Sequence, residues 1–244
     1  MIMKRYFWSL IQKITELFGR FQSGGAYVLM FHNVCGDNEI PGDKSISVTA
    51  SAFESFINAL IAGGVRFAPV SRLSDAASSG AVVITFDDMF LSAYENAVPL
   101  LEEKKIPYCV FISDRFIGAD GYVSPEQIHK LSQSALCTVG FHSSGHKMLR
   151  GLSDDEAKNE LVRTRLSGIT GKSAEYFAFP YGSLYACGEK KARLAKGLYK
   201  YSFSTVSARC SAKLLKKRPY YLPRINVCGD NCSSIQKRLI KQSR

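Results

Sequence analysis

The chain has 244 residues, a formal net charge of +11, 46% hydrophobic residues and 22% charged residues, which suits a globular protein of one large domain or two small ones. It contains no run of about 18 uninterrupted apolar residues, so we expect no membrane-spanning helix. Seven cysteines without regular spacing favour a reducing compartment over a disulfide framework, so we expect a cytoplasmic protein.

The first 25 residues are predicted to form a separate segment, an amphipathic helix over residues 3–22 that ends at a Ser-Gly-Gly sequence. One broad face of this helix is apolar and consists of Phe7, Leu10, Ile11, Ile14, Leu17, Phe18 and Phe21. Gln12, Lys13 and Glu16 interrupt the apolar core that a signal peptide needs. Two interpretations stay open: an interfacial anchor on an anionic bilayer, or a helix packed on the body of the domain.

The rest of the chain alternates between short apolar runs, typical of buried strands, and longer amphipathic runs, typical of helices. Strands are predicted at residues 26–31, 67–70, 81–86, 108–112, 137–141, 176–179, 201–205 and 222–227. Helices are predicted at residues 52–62, 91–105, 128–133, 154–169, 184–196 and 233–242. Ser51 followed by Glu54 predicts a capping box at the start of the first of these helices.

About seven alternations with short connections imply right-handed βαβ units around a parallel sheet. The predicted fold is therefore α/β, a closed or nearly closed barrel of parallel strands over residues 26–228. A basic C-terminal helix is expected within residues 229–244.

Two carboxylates, Asp87 and Asp88, end the strand predicted at residues 81–86. Ligands of parallel α/β sheets bind at the C-terminal ends of the strands, so both side chains should project into that crevice. Adjacent residues of an extended strand point to opposite faces, and the two carboxylates therefore need different partners unless the chain turns there. We expect one to face a metal and the other a substrate.

The sequence His-Ser-Ser-Gly-His at residues 142–146 places two of the four histidines directly after another predicted strand, at the same end of the sheet. One carboxylate with two neutral imidazoles is a common ligand set for a catalytic metal. Asp88, His142 and His146 are therefore predicted to bind a divalent metal, with zinc as the default and cobalt, nickel or iron also suited. The alternative is that both histidines are ordinary surface residues.

Thr-Phe-Asp-Asp at residues 85–88, His-Ser-x-x-His, and then Phe-Pro-Tyr-Gly at residues 179–182 resemble the motifs of the polysaccharide deacetylase family, the NodB-like enzymes of carbohydrate esterase family four. The resemblance covers about residues 27–227 and implies a metal-dependent amidase on a distorted (β/α)7 barrel. It also implies that Asp87 is the general base and that the second aspartate and both histidines hold the metal. The backbone N–H of Tyr181 is then expected to help to stabilise the oxyanion.

Three departures from the family pattern lead to further predictions. The arginine that commonly precedes the Pro-Tyr segment is absent, and Arg224 in a late strand is expected to supply the guanidinium instead. Met89 stands where the family has glycine, so a left-handed backbone there would be strained. The late Leu-x-His motif is missing, and His32 at the end of the first strand is therefore predicted to be the general acid. A structural role for His32 is the alternative.

These features predict a hydrolase that removes the acetyl group from an N-acetylated sugar. The basic surplus late in the chain and the N-terminal helix favour a lipid-linked or nucleotide-linked glycan, met at the inner membrane face by a peripherally bound enzyme. The basic residues could equally form a solvated face, and no nucleic-acid-binding motif accompanies them. Two other functions stay open: a catalytically weak glycan- or membrane-binding relative, and a metal hydrolase of O-acetyl or phosphate esters.

Overall fold

Short apolar runs form the strands in the structure, a computed structural model that describes residues 24–162 and 164–243. The strands are β1 (Tyr27–Phe31), β2 (Asn33–Cys35), β3 (Ser47–Thr49), β4 (Val82–Asp87), β5 (Tyr108–Ile112), β6 (Cys137–Phe141), β7 (Tyr176–Ala178), β8 (Tyr201–Phe203) and β9 (Ile225–Asn226). The N-terminal helix predicted for residues 3–22 lies outside the described residues.

The helices alternate with the strands of the main sheet. They are α1 (Ala50–Ala62), α2 (Leu73–Ser79), α3 (Leu91–Asn96), α4 (Val98–Glu103), α5 (Pro125–Gln133), α6 (Asp154–Glu160), α7 (Thr164–Thr170), α8 (Leu184–Cys187), α9 (Glu189–Ala192), α10 (Ala212–Lys217) and α11 (Cys232–Ser243). No helix within the described ranges is both long and apolar enough to cross a bilayer.

Seven strands form one parallel sheet in the order β8-β7-β6-β5-β4-β1-β9, and β2 pairs with β3 in a separate parallel pair. The sheet curls so far that the segment at residues 222–226 contacts strands near both of its edges. Leu222 bridges to Phe203 in β8, and Ile225 pairs with Leu29 in β1. The predicted fold, a distorted barrel of parallel strands surrounded by helices, is confirmed.

The core has two parts, one on each face of the sheet. In β4, Val82, Ile84 and Phe86 pack with the helices on the outside, and Val83 packs inside the barrel. Burial on both faces explains why the strands read as continuous apolar runs. The two-residue period also places Asp87 on the inner face with Val83, which brings its carboxylate to the mouth of the barrel.

Several predicted element boundaries were wrong. Helix α1 begins at Ala50, and Thr49 rather than Ser51 is its N-cap, since the Thr49 hydroxyl accepts a hydrogen bond from the Ala52 amide at 3.3 Å. In place of the strand predicted at residues 67–70, Phe67 alone bridges to β4, and a 3₁₀ turn follows. The helices predicted at residues 91–105, 154–169 and 184–196 are each divided into shorter helices.

Helix α11 packs on the barrel instead of extending from it. Ile235 and Leu239 are buried in the main core, and Ile240 lies so close to Gly63 that a Cβ there would come within 2.7 Å of it. The C-terminal helix and the barrel therefore share a hydrophobic core. The segment boundaries at residues 25 and 228 stay predictions.

Candidate active site and metal centre

The two aspartates separate because the chain turns sharply at the end of β4. Asp88 and Met89 have left-handed backbones with φ of 62° and 52°, and the Met89 amide donates to the Asp87 carbonyl at 2.7 Å. A left-handed non-glycine residue costs of order 1–3 kcal/mol unless its surroundings fix it. Met89 is fully buried, so packing holds this turn, and the strain expected from methionine at this position is present.

Asp88, His142 and His146 converge at the C-terminal ends of the strands. Asp88 Oδ1 lies 3.1 Å from His146 Nε2 and 3.5 Å from His142 Nε2, and one ligand atom from each residue lies within 4.8 Å of the others. His142 Nδ1 lies 2.8 Å from the Ala178 carbonyl, so it carries the proton and leaves the Nε2 lone pair free.

This donor set fits a divalent cation. A carboxylate oxygen and two imidazole nitrogens face one point, and Asp88 Oδ1 is buried without a hydrogen-bond donor among the described residues. Burial alone would raise the pKa of Asp88, but the two imidazoles hold it below its usual value, so the carboxylate is ionised at neutral pH. Burial lowers the pKa of His142, which keeps that imidazole neutral, as metal binding requires.

Glu160 fixes the loop between the two histidines. Glu160 is buried, with 5% exposure. Its carboxylate accepts a hydrogen bond from the Gly145 amide at 2.7 Å and pairs with Lys147 at 3.3 Å. Within the loop, the His146 amide donates to the Ser143 hydroxyl at 2.9 Å. Glu160 was not predicted from the sequence, since an acidic residue inside a charged helix carries no signal that distinguishes it from a solvated one.

Arg224 binds both carboxylate oxygens of Asp87. Its Nη1 and Nη2 donate to Asp87 Oδ1 and Oδ2, each at 2.6 Å, and Nη1 also donates to the Thr85 hydroxyl at 3.2 Å. The guanidinium is fully buried and lies 5.4 Å from the ring centroid of Phe111 and 5.9 Å from that of Phe203. Burial raises the pKa of Asp87, but the arginine outweighs this and lowers it to about 2.

His32 follows β1 directly and lies beside this pair. Its Nε2 is 4.0 Å from Asp87 Oδ2, and its Nδ1 is buried without a partner among the described residues. Burial lowers the pKa of His32, and the nearby carboxylates of Asp87 and Asp88 oppose this only in part, so the imidazole is neutral at pH 7. The structure thus brings His32 to the place from which a proton could reach the base or the leaving group.

Tyr181 borders the metal ligands. The residue is 51% exposed, and its ring centroid lies 5.0 Å from that of His146. Its φ is 59°, and its carbonyl accepts a hydrogen bond from the Thr205 hydroxyl at 3.0 Å. The Tyr181 N–H has no acceptor within the described part of the chain, so the amide is available to a ligand.

An aromatic wall stands on the other side of His146. Phe116 lies 5.0 Å from His146 between ring centroids and stacks on Tyr122 at 4.4 Å, and Tyr122 stacks in turn on Phe90 at 4.9 Å. This wall was not predicted from the sequence, because its members come from two separate loops, one after β4 and one after β5. It gives the crevice an apolar side that a sugar ring could contact.

A curled parallel barrel with a carboxylate and two imidazoles at its C-terminal rim defines a metal-dependent hydrolase. Residues 74–197, just over half of the chain, match the polysaccharide deacetylase family. The chain belongs to the polysaccharide deacetylase family. The family and the enzyme class predicted from the sequence, a hydrolase of carbon–nitrogen bonds in carbohydrates, are confirmed.

The chain is 29% identical over 217 residues to a poly-beta-1,6-N-acetyl-D-glucosamine N-deacetylase of Staphylococcus aureus. This match covers 80% of this chain and 72% of the relative. Two solved structures share the fold. IcaB from Ammonifex degensii is 23% identical with a TM-score of 0.74, over 90% of this chain and 98% of that one. A polysaccharide deacetylase from Bacillus cereus is 20% identical with a TM-score of 0.77, over 88% and 69% of the two chains.

Proposed function

We propose that the protein is a metal-dependent N-deacetylase that hydrolyses the acetamido group of N-acetylglucosamine units in a glycan. The observation that carries this proposal is the convergence of Asp88, His142 and His146 beside the buried pair of Asp87 and Arg224. The relative in Staphylococcus aureus, which acts on a β-1,6-linked polymer of N-acetylglucosamine, supports the choice of sugar.

The three ligands would hold a divalent metal, which supplies Lewis acidity toward the acetamide carbonyl. Asp87 would be the general base. Its two contacts with Arg224 use one lone pair on each carboxylate oxygen, so another lone pair on each remains to accept the proton of an attacking water. The arginine keeps this carboxylate ionised and fixes its plane, and it is therefore a positioning residue.

Departure of the amine requires a proton donor, and His32 is placed for that role. A neutral imidazole 4.0 Å from Asp87 Oδ2 can take up the proton during the reaction and give it to the amine nitrogen. The free Tyr181 N–H would donate to the developing oxyanion, a contact worth roughly 2.7–4 kcal/mol in comparable sites. The products are acetate and a free amino sugar.

The finer features of the proposal concern the metal, the carrier of the sugar and the compartment. The donor set suits zinc. The exposed Lys237, Arg238 and Lys241 of α11 support peripheral binding to an anionic membrane surface, at about 1 kcal/mol per base. On that basis the substrate would be a lipid-linked saccharide met at the cytoplasmic face. Co-sedimentation of the full-length protein with anionic vesicles tests the membrane binding. We expect pelleting that weakens steeply as the salt concentration rises.

Acetate release by the purified full-length protein tests the main proposal. The substrates are β-1,6-linked N-acetylglucosamine oligomers and an O-acetylated glycan, each with and without a chelator. We expect chelator-sensitive release from the N-acetylated oligomers, loss of release in Asp88→Ala, and wild-type release in the control His129→Ala, which removes an exposed histidine outside the site. Release only from the O-acetylated glycan would identify an ester hydrolase, and release from neither, with glycan binding retained, would identify a binding protein.

A further inference from the structure

The opposite end of the barrel contains a second group of polar side chains. Tyr27 opens β1 and lies between two cavities of about 370 and 310 Å³, both of which it lines. At about 3.3 Å per residue, β1 separates Tyr27 from the catalytic rim by roughly 13 Å. These cavities are therefore not part of the active site.

Three arginines surround Tyr27. Arg209 lines both cavities, Arg238 lines the larger one, and Arg66 lines the smaller one. The guanidinium carbons of Arg209 and Arg238 lie 4.5 and 6.0 Å from the centroid of the tyrosine ring. No aspartate or glutamate among the described residues lines either cavity or pairs with any of these arginines. The positive charge is thus left without a counter-ion from the described part of the chain.

Two residues that line the larger cavity each have a buried polar atom without a partner among the described residues. The Tyr27 hydroxyl has no hydrogen bond within the described residues, although Tyr27 is only 3% exposed. The Asn226 Oδ1 is unpartnered too, while its Nδ2 donates to the Ser45 carbonyl at 2.9 Å and so fixes the orientation of the amide. Leaving buried polar atoms unpaired is unfavourable, and a bound ligand would satisfy both.

Arg209 is fixed in place before any ligand binds. Its Nε and Nη2 donate to the Gly25 carbonyl at 3.1 and 2.8 Å, which holds the guanidinium against the tyrosine ring. Arg238 is exposed on α11, so it can adjust to an incoming ligand. A fixed arginine, an exposed arginine and a hydroxyl donor together suit the oxygens of a phosphate group.

We propose that this end of the barrel binds a phosphate ester that carries a free hydroxyl. The phosphate oxygens would accept hydrogen bonds from Arg209, Arg238 and the Tyr27 hydroxyl, and the ligand hydroxyl would donate to Asn226 Oδ1. Burial raises the pKa of Tyr27 despite the two arginines, so its hydroxyl stays protonated and can donate. Glycerol phosphate has this chemistry, whether as a soluble ester or as the headgroup of an anionic lipid.

Isothermal titration of the full-length protein with glycerol 3-phosphate, inorganic phosphate and glycerol tests the site. We expect glycerol 3-phosphate to bind more tightly than inorganic phosphate, and glycerol not to bind. Arg238→Gln should weaken binding of the ester about tenfold, because it removes a charge-assisted hydrogen bond, and Tyr27→Phe should weaken it several-fold. The matched control is Lys237→Gln, which removes an equal charge from the neighbouring position on α11 but lines neither cavity.

Equal affinities in Arg238→Gln and Lys237→Gln would overturn the proposal, since they would show binding at the metal centre or by overall charge. Failure of all three ligands to bind would overturn it as well. Acetate release from the soluble oligomers by Tyr27→Phe should match wild type, so the result does not depend on the proposed function.

Vesicles of phosphatidylcholine with and without phosphatidylglycerol distinguish the two sources of the phosphate. Pelleting that requires phosphatidylglycerol, falls in Tyr27→Phe, and falls further in Arg238→Gln than in the charge-matched Lys237→Gln supports the site and identifies a lipid headgroup. Binding of soluble glycerol 3-phosphate at the site, with pelleting unchanged in Tyr27→Phe and equal in Arg238→Gln and Lys237→Gln, supports the site and identifies a soluble ester.

Discussion

Replacing Arg224 with methionine would leave the Asp87 carboxylate buried without its counter-charge. Breaking a buried ion pair by removing one partner costs about 3–5 kcal/mol. The pKa of Asp87 points the same way, since its fall from the usual 3.8 to about 2 corresponds to stabilisation of the ionised carboxylate on the order of 2 kcal/mol. We therefore expect Arg224→Met to lower the free energy of unfolding at pH 7 by about 3 kcal/mol.

Urea denaturation at pH 7 in the presence of a chelator measures this loss without a contribution from the metal. The double variant Arg224→Met/Asp87→Asn removes both charges and should regain most of the lost stability, because the buried amide is far less costly than an unpaired carboxylate. A loss below about 1 kcal/mol in Arg224→Met, or a double variant as unstable as the single one, would refute the reasoning.

The difference in unfolding free energy between wild type and Arg224→Met depends on pH, because the pKa of Asp87 differs between the two proteins. The wild-type pKa of Asp87 is depressed, so its stabilisation is complete above pH 4 and is lost as the pH falls through about 2. In Arg224→Met, burial is no longer opposed by the arginine, and the pKa rises above its usual value. The variant should therefore regain stability as the pH falls from 7 toward 4, and its gap from wild type should narrow.

The remaining predictions concern the site and the core. His142→Ala should lose the bound metal, measured by elemental analysis, and full metal retention would remove it from the ligand set. Asp87→Asn should retain the metal and lose about 10²- to 10⁴-fold in kcat; wild-type turnover would mean that the base is elsewhere. His32→Ala should lower kcat more than metal affinity and remove the acidic limb of the pH–rate profile, because only the neutral imidazole can take up the proton; an unchanged profile would indicate a structural histidine. Gly140→Ala should cost about 1–3 kcal/mol in urea denaturation, because the added Cβ would lie 2.6 Å from the Phe111 ring; a neutral change would show that the ring can shift.

The strands of the barrel were largely predictable because both of their faces are buried. A continuous apolar run such as Tyr108–Ile112 leaves little choice of element, and the structure has this strand and Cys137–Phe141 at the predicted bounds. The site was predictable for a related reason. Chemistry-bearing residues that directly follow parallel strands meet at one rim, and this brings together Asp88, His142 and His146, which lie far apart in sequence.

Local details were less predictable, because neighbouring signals compete. Thr49 and Ser51 are both good N-caps, and only the pairing of β3 with β2 decides that the helix begins after Thr49. Gly188, with φ of 67°, divides the helix predicted at residues 184–196, although a glycine inside a helical pattern is often tolerated. These outcomes depend on tertiary contacts that the local sequence does not contain.

The strained backbone of the site shows most clearly what sequence leaves open. Five of the six non-glycine residues with positive φ in the described chain border the metal ligands or belong to them: Asp88, Met89, Ser143, His146 and Tyr181. Such conformations persist only where surrounding contacts fix them, and here those contacts come from distant segments. Glu160 holds the histidine loop from a helix, and Arg224 reaches Asp87 across a sequence separation of 137 residues. The motifs therefore name the reacting groups, but the residues that hold them in position are recognisable only once the barrel has brought the segments together.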